Sequence, residues 1–112
     1  MEPSADRVTV RSGSVIVADT VHALVLREAS YPPVFYIPLD DVERDALTDS
    51  GEHSYCPYKG EASYFDLADG TGGTLPAAVW YYDAPYPAVA DIARHVAFYP
   101  DRVTIDTAVA DN

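Results

Sequence analysis

A chain of 112 residues carrying a net charge of −11, with one cysteine and no long apolar run, excludes several roles at once. The length suits a single domain, residues 1–112, with loose ends expected at 1–6 and 108–112. Acidic residues number 18 against 7 basic ones, which leaves no basic patch to displace counter-ions from phosphates, so neither nucleic acid nor a membrane surface is an expected partner.

Cys56 is the only cysteine, so no internal disulfide forms. No apolar stretch approaches the roughly 20 residues that span a bilayer, and Met1-Glu2-Pro3-Ser4 does not open a secretion signal. Cytoplasm is the expected location. Six of the seven basic residues are arginines and Lys59 is the sole lysine. Such an acidic, lysine-poor composition fits a salt-rich cytoplasm, where counter-ions screen self-repulsion. A melting temperature flat from low to molar salt would remove that reading.

Strand signals dominate the chain order. Val8-Thr9-Val10-Arg11 alternates and turns at Ser12-Gly13. Residues 15–18 and 23–26 read as a hairpin turned by Asp19-Thr20, with Leu24, Leu26 and Glu28 on one face. Val34-Phe35-Tyr36-Ile37 is a further strand between prolines. Residues 40–47 read as a first short helix, with carboxylates crowding its first turn. The acidic stretch that follows, through Glu52, reads as a solvated face and a loop.

Residues 59–67 alternate as a strand, and Asp69-Gly70-Thr71-Gly72-Gly73 is a hairpin tip leading into a strand at 77–82. Residues 87–93 read as a second short helix. Val96-Ala97-Phe98-Tyr99 and Val103-Thr104-Ile105, joined at Pro100-Asp101, read as a closing hairpin. The fold class is therefore mainly β and antiparallel, with about eight short strands and two short helices.

Chemistry concentrates between His53 and Tyr64, which hold the only Cys, the only Lys, one His, three Tyr and a Glu. Lys59 stands out because arginine supplies surface charge elsewhere, whereas a retained lysine offers a compact ammonium or an amine that can lose its proton. A structural ion pair with Glu61, or a buried stem, is the simpler account. Glu28 continues the apolar face of Leu24 and Leu26, which makes it a second carboxylate candidate. Arg11 is a further candidate for an anionic group. Tyr36, Tyr58, Tyr64, Trp80 and Tyr82 are candidate aromatic walls for a planar ligand, Trp80 and Tyr82 sharing one strand face. Cys56 lacks the paired histidine or helix N-terminus of an activated thiol and is expected in the core. With no second cysteine, no zinc site is expected, and no cofactor is implied.

Arg11 with Gly13, Val17-Ala18-Asp19-Thr20, residues 24–28, Tyr36-Ile37-Pro38, Asp41-Val42, Cys56-Pro57-Tyr58-Lys59-Gly60, Ala62-Ser63-Tyr64, Val79-Trp80-Tyr81-Tyr82, Pro85 and Val96-Ala97-Phe98-Tyr99 occur in one order. Together they closely resemble a small bacterial, archaeal and fungal family, domain of unknown function 427, over nearly the whole chain. The resemblance implies a β-tent-like fold, two antiparallel sheets meeting at an angle around a cleft. Relatives of that architecture include methionine sulfoxide reductase B and the thalidomide-binding domain, many with a four-cysteine zinc site that this chain lacks. The family is sometimes filed as nucleotidyltransferase-like, but Gly13-Ser14 is not followed by the paired strand acids that phosphoryl transfer on a metal requires.

Three functions are compatible with these residues. The first is a small-molecule-binding domain with its cleft between the sheets, centred on the Cys56-Pro57-Tyr58-Lys59-Gly60 segment. The second is a metal-independent enzyme using Lys59 with Glu28 or Glu61 as acid and base. The third is a protein-interaction module presenting an aromatic patch.

Overall fold

The computed structural model describes residues 1–28 and 30–109. Ten strands run through them: β1 Glu2–Pro3, β2 Asp6–Ser12, β3 Val15–Thr20, β4 Leu24–Leu26, β5 Val34–Pro38, β6 Leu47–Cys56, β7 Gly60–Ala68, β8 Thr74–Tyr81, β9 His95–Phe98 and β10 Thr104–Val109. Two antiparallel sheets result, one of seven strands in the order β1-β4-β5-β9-β8-β7-β6 and one of three in the order β10-β2-β3. The mainly β, antiparallel class is thus the one the strand signals predicted, with ten strands rather than about eight, and the two sheets are those the family resemblance implied.

Alternation explains why the sheets stack. Val8 and Val10 of β2, Val17 and Ala18 of β3, and Ile37, Leu67, Val79, Val96 and Phe98 of the larger sheet are all buried in one cluster. Phe35, Phe65, Tyr81 and Ile105 close around it, and Phe65 stacks on Tyr81 at 4.6 Å between ring centres. The larger sheet is apolar on its other face too, where Tyr36, Ala62, Tyr82, Ile92 and Ala97 form a second cluster.

The connections differ from those expected. β3 pairs with β2 rather than with β4, and β4 lies in the other sheet between β1 and β5. The predicted 15–26 hairpin is therefore a crossing between sheets. Thr20 fixes it, since its Oγ1 accepts the His22 amide at 2.9 Å and its hydroxyl donates to Asp41 Oδ2 at 2.6 Å. Likewise β9 pairs with β5 and β8, whereas β10 pairs with β2, so the predicted closing hairpin is a second crossing. At the opposite end the two predicted turns do hold, and they interlock. The Ser12 hydroxyl donates to the Ala68 carbonyl at 2.6 Å, and a Cβ on Gly13 would come within 2.9 Å of the Asp69 carbonyl oxygen.

Neither predicted helix forms. Residues 40–47 instead give two 3-10 turns, Leu39–Asp41 and Arg44–Ala46, separated by extended Val42. Val42 is buried and bridges Ala18, and the Glu43 amide donates to the Val17 carbonyl at 2.8 Å. Strand β3 thus captures the backbone that a helix would have used. The second candidate, Pro87–Ile92, is a pair of 3-10 turns broken at Val89.

Residues 47–56, read as the helix end, its solvated acidic run and a loop, form strand β6, and it lies at the edge of its sheet. Its register slips between Asp49 and His53, where Gly51 has φ +76° and Asp49 Oδ1 accepts the Gly51 amide at 3.0 Å. A bulge flanked by acids is a common guard against edge-to-edge pairing. No helix among the described residues is long and apolar enough to cross a membrane. Of the ends expected to be loose, Glu2–Pro3 pair with β4 and Ala108 and Val109 pair with β2, while residues 110–112 lie outside the described chain.

Candidate functional site

The outer face of the seven-stranded sheet is built from small and aromatic residues in register. Tyr36 of β5, Ala97 of β9, Trp80 of β8 and Tyr64 of β7 follow one another across the strands, Trp80 being paired with both Ala97 and Tyr64. Ala97 is the reason that the flanking rings meet, because its methyl leaves room above it. Trp80 approaches Tyr36 edge-on, with ring centres 6.4 Å apart at 88°, and leans on Tyr99 at 4.6 Å. Tyr82, Ala62 and Cys56 continue the face, and Ile92 and Val89 of the Pro87–Ile92 turns pack onto it.

Lys59 reaches this face from the turn between β6 and β7. Its amide donates to the Cys56 carbonyl at 3.2 Å, and its own carbonyl accepts the Tyr86 amide at 2.9 Å. Gly60, at φ +116°, allows the chain to re-enter β7 while passing the backbone of Ala84 and Pro85. Tyr55 and Tyr86 brace the outside of the turn, their hydroxyls hydrogen-bonded. The Cys-Pro-Tyr-Lys-Gly segment is therefore a clamped turn that aims one ammonium. The Lys59 side chain is only 12% exposed, and its Nζ donates to Glu28 Oε1 at 3.3 Å.

Glu28 is half-exposed and belongs to a cleft of about 700 Å³. β5 and β9 pair at Ile37–Val96 and Pro38–His95. No register is shared beyond those pairs among the described residues, and there the cleft opens. Phe35, Trp80 and Phe98 line it from the larger sheet, Ile105 and Thr107 from β10, and Glu28 with the Tyr31-Pro32-Pro33 loop forms its rim. The turn at that rim is closed by the Tyr31 amide donating to the Glu28 carbonyl at 2.9 Å.

Of the residues singled out in the sequence, Glu28, Lys59, Tyr36, Tyr64, Trp80 and Tyr82 come together. Glu28 and Trp80 line the cleft, whereas Lys59 flanks it through Glu28. Glu61 is placed elsewhere: its side chain is 72% exposed and lies 3.6 Å from His53 Nδ1. Alternation had set it beside Lys59, but Lys59 belongs to the turn and leaves the strand's own facing pattern. Tyr58 stands exposed at the turn, and Arg11 lies on the outer sheet, 3.9 Å from Asp106. The walls contributed by Phe35, Phe98, Pro100 and Ile105 escaped the sequence reading, because they come from strands read only as core and from a crossing read as a hairpin.

Electrostatics follow burial. Desolvation pushes the Tyr36 phenol up, with the charges of Lys59 and Glu28 acting in opposite senses. Burial likewise drives Tyr82 up, helped by Tyr36 and Cys56, and pushes Tyr99 up to about 12, helped by Tyr64. A free phenol ionises near pH 10. These groups hold their protons longer in the folded chain than in the unfolded one. Their effect on stability is absent below about pH 10, and stability falls as pH rises from there through the raised values. The hydrogen bond with Tyr55 raises Tyr86 as well, so in an alkaline ultraviolet titration four of the nine tyrosines, Tyr36, Tyr82, Tyr86 and Tyr99, are expected to ionise late. Nine phenols titrating together near pH 10 in folded protein would contradict this.

The chain has a single cysteine, so four cysteines cannot gather on one metal ion within it. Cys56 lies against Tyr82, and among the described residues no group of three or more His, Cys, Asp or Glu side chains is placed to share a metal ion. No curated protein matches the chain. A family model described as domain of unknown function (DUF427) matches residues 1–109, almost the whole length over which the sheets, the clamped turn and the aromatic face extend, and the chain belongs to that family.

Proposed function

We propose that this is a small-molecule-binding domain whose site is the cleft between the sheets. The observation that carries this is the lining. A cleft of about 700 Å³ is walled mostly by aromatic, aliphatic and proline side chains, with one carboxylate, Glu28, at its rim. Largely apolar concavities with a few placed polar groups are the ordinary form of ligand sites. Size and shape suit a planar, mostly apolar molecule lying against Trp80.

The same geometry lends less support to catalysis by Lys59. Its ammonium is tied to Glu28 and flanks the cleft rather than lining it, and Glu61 is turned away. The interaction-module reading draws on exposed Tyr31, Tyr55 and Tyr58, but Tyr55 and Tyr58 belong to the Lys59 turn, and Tyr31 lies with half-buried Trp80 in the lining of the cleft.

Trp80 is the only tryptophan and lines the cleft, so its emission, excited selectively beyond the tyrosine band, reports on that site. A screen of planar metabolites is expected to return compounds that shift Trp80 emission and raise the melting temperature together. Phe35→Ala, which removes one wall, is expected to weaken those compounds about tenfold. If the melting temperature rises without any emission change, or Phe35→Ala leaves affinity intact, the binding site is not this cleft.

A further inference from the structure

The cleft's ligand has a definite charge class. Among the described residues that line it, Glu28 alone carries a formal charge at neutral pH, and none is basic. Lys59 engages Oε1 of that carboxylate from the flank. The remaining oxygen belongs to a half-exposed group on the cleft rim, where it is free to accept a further hydrogen bond. Trp80 and Phe98 supply aromatic faces, and Tyr31 stands at the opening, 75% exposed. Around this lies a chain of net charge −11, whose field raises the local concentration of cations and lowers that of anions.

Resting on the proposal that the cleft binds small molecules, we infer that its ligand is an organic cation. An ammonium or related group would donate to the open oxygen of Glu28, and an apolar, preferably aryl, body would lie along Trp80, Phe98 and Ile105. Three effects point the same way. A carboxylate accepts hydrogen bonds and cannot donate them. A cation near an aromatic face is attracted by the ring quadrupole, most strongly for tryptophan. An anionic ligand would meet the Glu28 carboxylate with no basic side chain among the described lining residues to receive it, since Lys59 is engaged on Oε1 from the flank and Arg11 lies on the three-stranded sheet. The expected ligand thus has the opposite sign from one chosen for Lys59 and Arg11. Lys59 has a positioning role in this arrangement: it holds the carboxylate at the rim.

The test uses three probes with one aryl body and different charges: phenylpropylamine, phenylpropanol and phenylpropionate. Each is titrated into the whole chain while Trp80 emission is followed, with calorimetry in parallel. The amine is expected to bind about tenfold more tightly than the alcohol, a difference of about 1.4 kcal/mol. The acid is expected to be weakest of the three, and added salt should narrow the gap between amine and alcohol. Glu28→Gln should bring the amine-to-alcohol ratio to about one while preserving alcohol binding. Because that change deprives Lys59 of its partner, the double variant Glu28→Gln/Lys59→Met is measured as well, with the same expected ratio. Glu43→Gln removes the same net charge from an exposed position outside the cleft lining and should leave the ratio unchanged.

Alcohol or acid binding as tightly as the amine would overturn the inference and leave the cleft reading standing. So would a tenfold amine preference that survives both Glu28 variants or that Glu43→Gln abolishes. If none of the probes changes Trp80 emission, the cleft reading itself fails and the inference with it.

Discussion

Replacing Ile92 with alanine is expected to lower unfolding stability by about 3 kcal/mol. Ile92 is fully buried, although it sits in 3-10 turns and not in a regular helix, and it packs on the face formed by Tyr36, Ala62, Tyr82 and Ala97. Removing three carbons leaves a void that broken turns pinned by Pro87 have little freedom to fill. The loss is large against the 5–15 kcal/mol typical of whole domains. Conservative Ile92→Val should cost about 1 kcal/mol. Urea unfolding followed by circular dichroism measures both. A cost below 1 kcal/mol for the alanine variant would mean that this segment does not support the aromatic face.

Gly60→Ala is expected to cost about 2 kcal/mol. At φ +116° the residue lies beyond even the small left-handed region that other residues occasionally visit, so the cost is backbone strain. Packing adds little, since a Cβ there would approach the Ala84 carbonyl oxygen only to 3.4 Å. The consequence extends past stability. Lys59 precedes this glycine, and its carbonyl is held by the Tyr86 amide. A turn that relaxes to relieve the strain would carry the ammonium away from Glu28, so the alanine variant should also bind cleft ligands less tightly. Wild-type stability in Gly60→Ala would show that the turn is not clamped.

How much of this was legible in the sequence depends on how local each cause is. The hairpin of β7 and β8 was readable because Asp69-Gly70-Thr71-Gly72-Gly73 provides its turn in five consecutive residues, with Asp69 Oδ1 accepting the Thr71 and Gly73 amides at 2.8 and 3.0 Å. Both faces of Val79-Trp80-Tyr81-Tyr82 were readable as apolar, and the structure divides them: Val79 and Tyr81 pack between the sheets, Trp80 and Tyr82 in the cluster on the other face, with Trp80 also lining the cleft. Strand β6 was not readable. It is an edge strand with no buried stripe, so the period-2 signal that marks a strand is missing from Thr48-Asp49-Ser50-Gly51-Glu52.

The crossings were misread for a related reason. A short polar connection looks the same whether the chain turns back or passes to a second sheet, and the difference lies in distant partners: Asp41 for Thr20, and β2 for Ile105. The site was half-legible on the same principle. Glu28 was found because it continued the alternation of Leu24 and Leu26, and Lys59 because it is unique. Their pairing across 31 residues stood only as an alternative to a pairing with Glu61, which is nearer in sequence and is placed elsewhere. Phe98 and Ile105 looked like ordinary core residues, which they also are. Only the parting of β5 from β9 makes them walls.

The most direct measurement is residue-resolved chemical-shift mapping of the protein titrated with phenylpropylamine. The account predicts that the Trp80 indole N–H and the amides around Glu28, Phe35, Phe98 and Ile105 move together along one saturating curve, while those of Arg11 and Glu61 stay still. Shifts confined to the acidic surface around Asp40 and Glu43, or scattered over the chain without saturation, would contradict it.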